Sequence, residues 1–550
     1  MLKLICFRRD FRLSDNELIW KACKDESPIF PFYIFDSWHL NHPEFSQGRM
    51  NFILESLSEL INSFQKLNCD FQLYQGNSLD IIKTLIQSLQ SKGQQVELYI
   101  SHDIQYEYDK NLAIKINALG IDLNFKINWC FNDFLLMDES QMGSWREKYY
   151  EYQNSPIHPP PTKLIASSKD LLGNKGELNQ YRIHLLPSTF TQSKSSMFEG
   201  GENKAIAKLN EFLNSNYQGY HWKLSRPWLA QQGHTSHLSP HLAQGCISSR
   251  MIYQTVRELR GALKSTKSDV VSNSSLAEGE KVEPVTGSEK LRFSLSAFQD
   301  RLRWRDSFRQ KFFFHPEWTI QNRHHEFNAI YDNSPLSTSQ IILYEAWKQG
   351  RTGFPLIDAS MRQLLNNGWI NFRMRAMCAT FLTINLGISW HYGALHFMNY
   401  LIDGDAAIDH WQWQMQAGVT NPMSTGFRIY NPDKNRIERD PKFFYVRHWI
   451  NELKNATDFE ITSNLFDRKA INYPEKIIDW QQTKDIYGTR VSRTRASIRE
   501  RLKTSNNSEF HEMIRANETV KAYYKGKRKR YEKIKNADQL QFDFDNLNLP

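Results

Sequence analysis

Short apolar runs alternate with amphipathic stretches over the first quarter of the chain. Leu2–Phe7 and Ile29–Phe35 are mostly apolar, the pattern of strands covered on both faces of a parallel sheet. Met50–Leu67 places Ile53, Leu54, Leu57, Leu60 and Ile61 at helical spacing on one face. Phe71–Tyr74 and Val96–Ile100 predict further strands, with a helix over Ser78–Leu89 between them and one more strand at Leu123–Ile127. Strand–helix alternation of this kind predicts a doubly wound α/β domain over residues 1–135. Such sheets bind ligands beyond the C-terminal ends of their strands.

The pattern then changes. Residues 136–204 read as a linker, because Pro156 and the run Pro159, Pro160, Pro161 cannot lie inside a helix. From Ala205 to about residue 500 the apolar spacing is helical, with few strand signals. Residues 264–290 are rich in Ser, Glu, Lys and Gly and predict a disordered surface insertion. The tail, residues 501–550, carries a basic cluster at Lys525, Lys527, Arg528, Lys529 and Arg530, then a mildly acidic end from Asp538. That cluster is either a phosphate contact or a solvated helix face.

A length of 550 residues suits two or more domains. The 15 Trp, 23 Tyr and 34 Phe supply rings for a large core or for stacking on flat ligands. A net charge of +9 fits a polyanionic partner, and equally a plain basic surface. Cys6, Cys23, Cys69, Cys130, Cys246 and Cys378 are scattered, with no CxxC pair. That argues against zinc ribbons and clustered iron–sulfur sites and suits a reducing cytoplasm. Met1–Asp10 lacks the layout of a signal peptide, and no apolar run is long enough to span a membrane. His324, His325 and Glu326 lack HExxH spacing, so no metal site is expected; Walker A and GxGxxG motifs are also missing.

The densest chemical signal lies between Arg351 and Asn431. It reads TGFPLID at Thr352–Asp358, GWINFRMRAM at Gly368–Met377, LIDGD at Leu401–Asp405, WQWQM at Trp411–Met415 and FRIYNP at Phe427–Pro432. Arg373, Arg375, Asp403 and Asp405 fall among apolar neighbours, so they must be partly buried and paired. Two readings stay open: a helical core with internal salt bridges, or a pair such as Arg375–Asp403 fixing a flat, hydrogen-bonding ring. Trp390, Trp411 and Trp413 offer oxidisable rings nearby.

This stretch resembles the FAD-binding region of the photolyase/cryptochrome family. CFRRDFRLSDN at Cys6–Asn16 resembles the opening of the family's antenna domain, and HTSHLSPHLAQGCISSR at His234–Arg250 its flavin-phosphate segment. The resemblance covers roughly residues 1–455. It implies an α/β antenna domain followed by an all-α FAD-binding domain, with FAD as cofactor. Carried over, it implies that Thr235, Ser236 and Ser239 bind the diphosphate, with Leu238 packed beside them and Tyr220 on the phosphate side. His237 stands where the family usually has Arg. Trp304 and Arg305 match the family's pocket-helix pair, with Arg305 placed at the cofactor, and Arg375, Asp403 and Asp405 match the isoalloxazine group. Trp411 and Trp390 match the proximal and middle electron-hopping tryptophans; for the outer one, Tyr331 and Tyr344 are the candidates.

The departures concern the substrate. Arg301 stands where dimer-repair enzymes have Glu, while Phe372 and Ala376 replace their pocket Asn and Met, or the two His of the (6-4) enzymes. Taking two residues as missing between Asp405 and Trp411 puts Asp409 or His410 at the position facing flavin N5. The expected function is blue-light repair of pyrimidine dimers in damaged DNA by a monomer. The alternative is a cryptochrome-type photoreceptor that repairs nothing. In the repair reading, Arg301, Arg305 and Arg309 form part of a basic DNA face, and Trp304, Trp369 and Trp413 flank the flipped bases. A folate or deazaflavin antenna is a further possibility the resemblance implies.

Overall fold

The computed structural model describes residues 1–168, 177–184, 186, 197–265, 287–423, 428–463 and 468–504. The N-terminal half is a six-stranded sheet built from β1 (Leu2–Phe7), β2 (Ile29–Asp36), β3 (Gln72–Gly76), β4 (Val96–Ser101), β5 (Lys126–Cys130) and β6 (Arg182–Ile183). Its order is β5-β4-β1-β2-β3-β6. The first five strands pair in parallel, and β6 joins β3 antiparallel. The crossovers include α1 (Glu17–Ala22), α2 (Gln47–Lys66), α3 (Ser78–Gln90) and α4 (Glu107–Asp122). Local chemistry sets the helix starts. The Asn16 side chain accepts from Leu18 and Ile19 N–H, and Asn77 does the same for Leu79 and Asp80.

Three expectations shift. The last parallel strand is Lys126–Cys130 instead of Leu123–Ile127. The span expected as linker holds a helix, α5 (Trp145–Asn154), and the strand β6, which closes the sheet edge. Residues 264–265 and 287–290, expected within the insertion, are instead the ends of helices α6 (Ser249–Ser265) and α7 (Gly287–Phe314). Residues 266–286 and the tail from 505 onward, including its basic cluster, lie outside the described residues.

Beyond α7 the chain is helical, and α8 (Thr338–Lys348), α9 (Pro355–Asn367), α10 (Phe372–Thr380), α11 (Trp390–Tyr400) and α12 (Ala406–Gln416) shape the second half. The halves share a core: Ile5 and Phe7 of β1 and Phe11 just after it pack in one cluster with Leu238, Leu302 and Trp369. Polar ties cross the same boundary. Arg12 donates to Gly245 O at 2.8 Å, and Glu202 accepts from the Leu13 and Ser14 N–H groups at 2.7 and 2.9 Å. Among the described residues no helix is long and apolar enough to cross a membrane.

Candidate functional site

A cavity of about 300 Å³ opens in the helical half, walled by α7, α10, α12 and the segment Thr235–Ala243. Its walls are largely apolar, with a few convergent polar groups, the composition of a small-molecule site. Tyr220, Thr235, Ser236, Leu238 and Ser239 all line it. Trp369 closes over Ser239, its Nε1 donating to Ser239 Oγ at 3.4 Å. His237 presents its ring Nε2 to Ala230 O at 2.6 Å, and burial pushes its pKa down to about 4. A neutral ring thus stands where the family usually has Arg.

Arg375 grips Asp403 with both carboxylate oxygens within reach, at 3.0 and 2.8 Å from Nη2, while its Nε donates to Ile370 O. The pair lines the cavity and stays rigid because each end is bonded. Asp405 N-caps α12, accepting from Ile408 N–H. Its other oxygen accepts from Arg9 at 3.2 Å and Arg309 at 3.0 Å. The expected isoalloxazine ligand is therefore a link between the two halves that borders the cavity. Arg305 likewise has its Nη groups on Asp133, Asp306 and Leu242 O. Arg305 and Arg309 are buried, so the expected basic DNA face loses both. The reason is that Asp133 and Asp405, distant in sequence, converge on α7, whose own Asp306 adds a third carboxylate.

Helix α12 runs without interruption from Ala406 to Gln416, N-capped by Asp405. Asp409 and Trp413, four residues apart, share its cavity face. Trp411 points away, into Phe308, Phe312 and Trp318, with Lys311 at 4.4 Å and Arg323 at 5.5 Å from its ring centre. The cavity-side tryptophan is thus Trp413, not Trp411. Trp413 is 2% exposed and packs on Phe397, Trp347 and the bare backbone of Gly393. It forms a floor, not a flank for flipped bases. Trp390 lies one turn before Gly393 on α11, fully buried, its Nε1 donating to Asn322 at 2.7 Å.

Burial pushes the Asp409 carboxyl up to about 7, against the pull of His410 and Arg375. Its Oδ2 is buried with no hydrogen-bond partner within the protein, as are Asn371 Oδ1 and Arg305 Nε, and all three residues line the cavity. Such orphans are expensive unless a ligand meets them. The other candidate, His410, turns to the N-terminal half. Its Nε2 bonds Glu44 at 2.8 Å, and it is held up to about 9 by Glu44 despite burial. Also along the wall, the Arg301 guanidinium lies over Trp304 at 4.4 Å and Phe372 at 4.9 Å. Its Nε and Nη1 are buried without a protein partner. No local signal marks Asn371 or Glu44, whereas the four-residue spacing of Asp409 and Trp413 puts them on one face of α12.

A second, smaller cavity of about 120 Å³ lies at the C-terminal ends of β1, β2 and β4, where the halves meet. Arg8, Arg9, Asp36, Glu44, Arg49 and Asp103 border it. Gly404 leaves no room for a side chain against Arg49, which reaches from this cavity to the carbonyls of Met398 and Leu401.

Residues 298–493 match the family model described as the FAD binding domain of DNA photolyase, and residues 3–111 match the model DNA photolyase. Cryptochrome DASH of Synechocystis is 29% identical over 471 residues, spanning 82% of this chain and 88% of that protein. The deoxyribodipyrimidine photo-lyase of Synechococcus is 27% identical over 517 residues, spanning 90% and 98%. Among solved structures, the Synechocystis cryptochrome superposes with a TM-score of 0.70 at 24% identity, over 89% of this chain and 99% of that one. An archaeal photolyase from Sulfolobus tokodaii, solved with two FAD molecules, gives 0.66 at 24% identity over the same shares. With one model matching the sheet and the other matching the helices around the cavity, the chain belongs to the photolyase/cryptochrome family.

Proposed function

We propose that the protein is a blue-light-dependent DNA photolyase that splits pyrimidine dimers by electron transfer from reduced FAD. The observation behind this reading is the wall of the larger cavity, where Arg301 keeps buried donors without a protein partner against the rings of Trp304 and Phe372. Donor-rich, ring-lined openings suit pyrimidine carbonyls and flipped bases. When bound, FAD supplies light absorption and one-electron chemistry. The chain's own groups do the rest. Arg375–Asp403 and Asn371 fix the ring, and Thr235, Ser236 and Ser239 face the diphosphate. Trp413 is the adjacent electron donor, and Asp409 holds a proton at neutral pH and below.

Relatives bear both names, deoxyribodipyrimidine photo-lyase and cryptochrome DASH. One observation favours a photoreceptor: the protonatable Asp409 at the cavity face, which would hold a proton available to a flavin bound there. The smaller cavity is the place for a second chromophore, a folate or deazaflavin. The test uses flavin-loaded protein with oligonucleotides bearing a defined cyclobutane dimer or (6-4) product under blue light. Restoration of intact bases in one of them is expected. Failure on both, with flavin bound and photoreduced, favours the receptor.

A further inference from the structure

Lys311 borders neither cavity and lies on the side of α7 that meets Trp411. Its Nζ is 4.4 Å from the centre of the Trp411 ring and 5.8 Å from that of Phe308. The Arg323 guanidinium lies over the same Trp411 ring at 5.5 Å and over Trp318 at 5.2 Å. A bond from its Nη1 to Thr420 O at 3.1 Å helps to fix it there. Trp318 stacks on Trp411 at 5.4 Å, and Phe312 meets both rings edge-on. Arg303, Arg305 and Arg309 on the same helix each meet a carboxylate. Lys311 has rings and a second cation around it instead. Burial among the rings, helped by the Arg323 charge, pushes its pKa down to about 7. Much of this amine is therefore neutral and nucleophilic near neutral pH. The side chain is half-buried, so a small molecule dissolved in water still reaches it. A setting that disfavours an ammonium because a cation stands beside it favours an anion in the same place.

We propose that Lys311 is a carbon dioxide site, where the amine reversibly forms a carbamate that pairs with Arg323. The neutral Nζ attacks the carbon of carbon dioxide. One N–C bond forms, one electron pair of a C=O bond moves onto oxygen, and Nζ gives up one proton to water. Nothing is oxidised or reduced. The product carries one negative charge beside Arg323, in place of a neutral or positive amine. Arg323 presents a planar fork of donors that matches a carboxylate-shaped group. The carbamate thereby ties α7 to the stretch Pro316–Arg323 that follows it. No step involves flavin or light, so the inference stands apart from the function proposed above.

Full-length protein is equilibrated with bicarbonate labelled with heavy carbon. Any carbamate is fixed by ethylation with a trialkyloxonium salt and located by peptide mass spectrometry. Labelled ethyl carbamate is expected at Lys311, well above that at the exposed Lys83 and Lys115. At equal dissolved carbon dioxide, the label at Lys311 should fall about tenfold from pH 8 to pH 6, as the amine takes up its proton. Arg323→Gln should lower it several-fold, and Arg323→Lys, which keeps the charge, should retain most of it. Should either variant not fold, the map and pH profile of the unaltered protein decide the matter. Label missing from Lys311, or no higher there than at Lys83 and Lys115, overturns the site and leaves a cation packed on Trp411. Undiminished label in Arg323→Gln overturns the pairing.

Discussion

The two cavities differ in how their polar groups are satisfied. Around the smaller one most charges are committed within the protein: Arg8 to Asp109 at 2.6 Å, Arg9 to Asp103 at 3.0 Å, and Glu44 to Tyr106 and His410 at 2.6 and 2.8 Å. Around the larger one Asn371, Asp409, Arg301 and Arg305 keep buried polar atoms with no hydrogen-bond partner, more than the Gln244 Oε1 and Asp103-paired Arg9 Nη2 that border the smaller. The first is built to hold two halves of a chain together, whatever else binds there. The second is built to be completed by a ligand.

That contrast can be broken experimentally. The largest effect should come from Asp405→Ala, which leaves buried Arg9 and Arg309 short of a shared partner. Loss of about 3 to 5 kcal/mol in denaturant unfolding is expected, with any flavin loss following from the loosened junction. A stable variant that merely fails to hold flavin would move Asp405 to the cofactor side.

Next comes pH. His410 is raised from 6.5 to about 9 when folded. Its contribution is therefore complete below pH 6.5 and disappears as pH rises through 9, on the order of 3 kcal/mol. Asp409, raised from 3.8 to about 7, acts in the same direction at lower pH, since the folded state disfavours its charged form. Stability measured across this range should fall with pH, and Glu44→Gln should flatten the upper part. An unchanged upper slope in that variant would remove the His410–Glu44 link from the account.

The smallest effect sharpens the cavity assignment. Trp413→Phe should slow flavin photoreduction about tenfold, equivalent to about 1.4 kcal/mol, while Trp411→Phe should change it less than twofold. The reverse ranking would restore Trp411 as the cavity-side ring.

Much of the architecture was legible because burial imposes periodicity. The apolar strands at Leu2–Phe7 and Ile29–Asp36 and the amphipathic helix at Gln47–Lys66 fall close to where the pattern puts them. Strand β6 was not legible, since two residues, Arg182 and Ile183, carry no alternation to detect. Within the site, Thr235, Ser236, Ser239, Arg375 and Asp403 come together around one cavity. The repeated Trp-Gln of Trp411–Gln414 misled, because a sequence match slides by two residues while a helix does not. Rings two positions apart on α12 face roughly opposite sides.

By itself the sequence determined the strand–helix alternation, the helical second half and the set of charged residues that must be buried near one another, because each follows from local spacing or from the cost of burying charge. Only the tertiary structure decided which charges belong to which partners. Arg9 meets Asp405 across 396 positions, and His410 meets Glu44 across 366. Such pairings depend on how two halves dock, and nothing local encodes that distance.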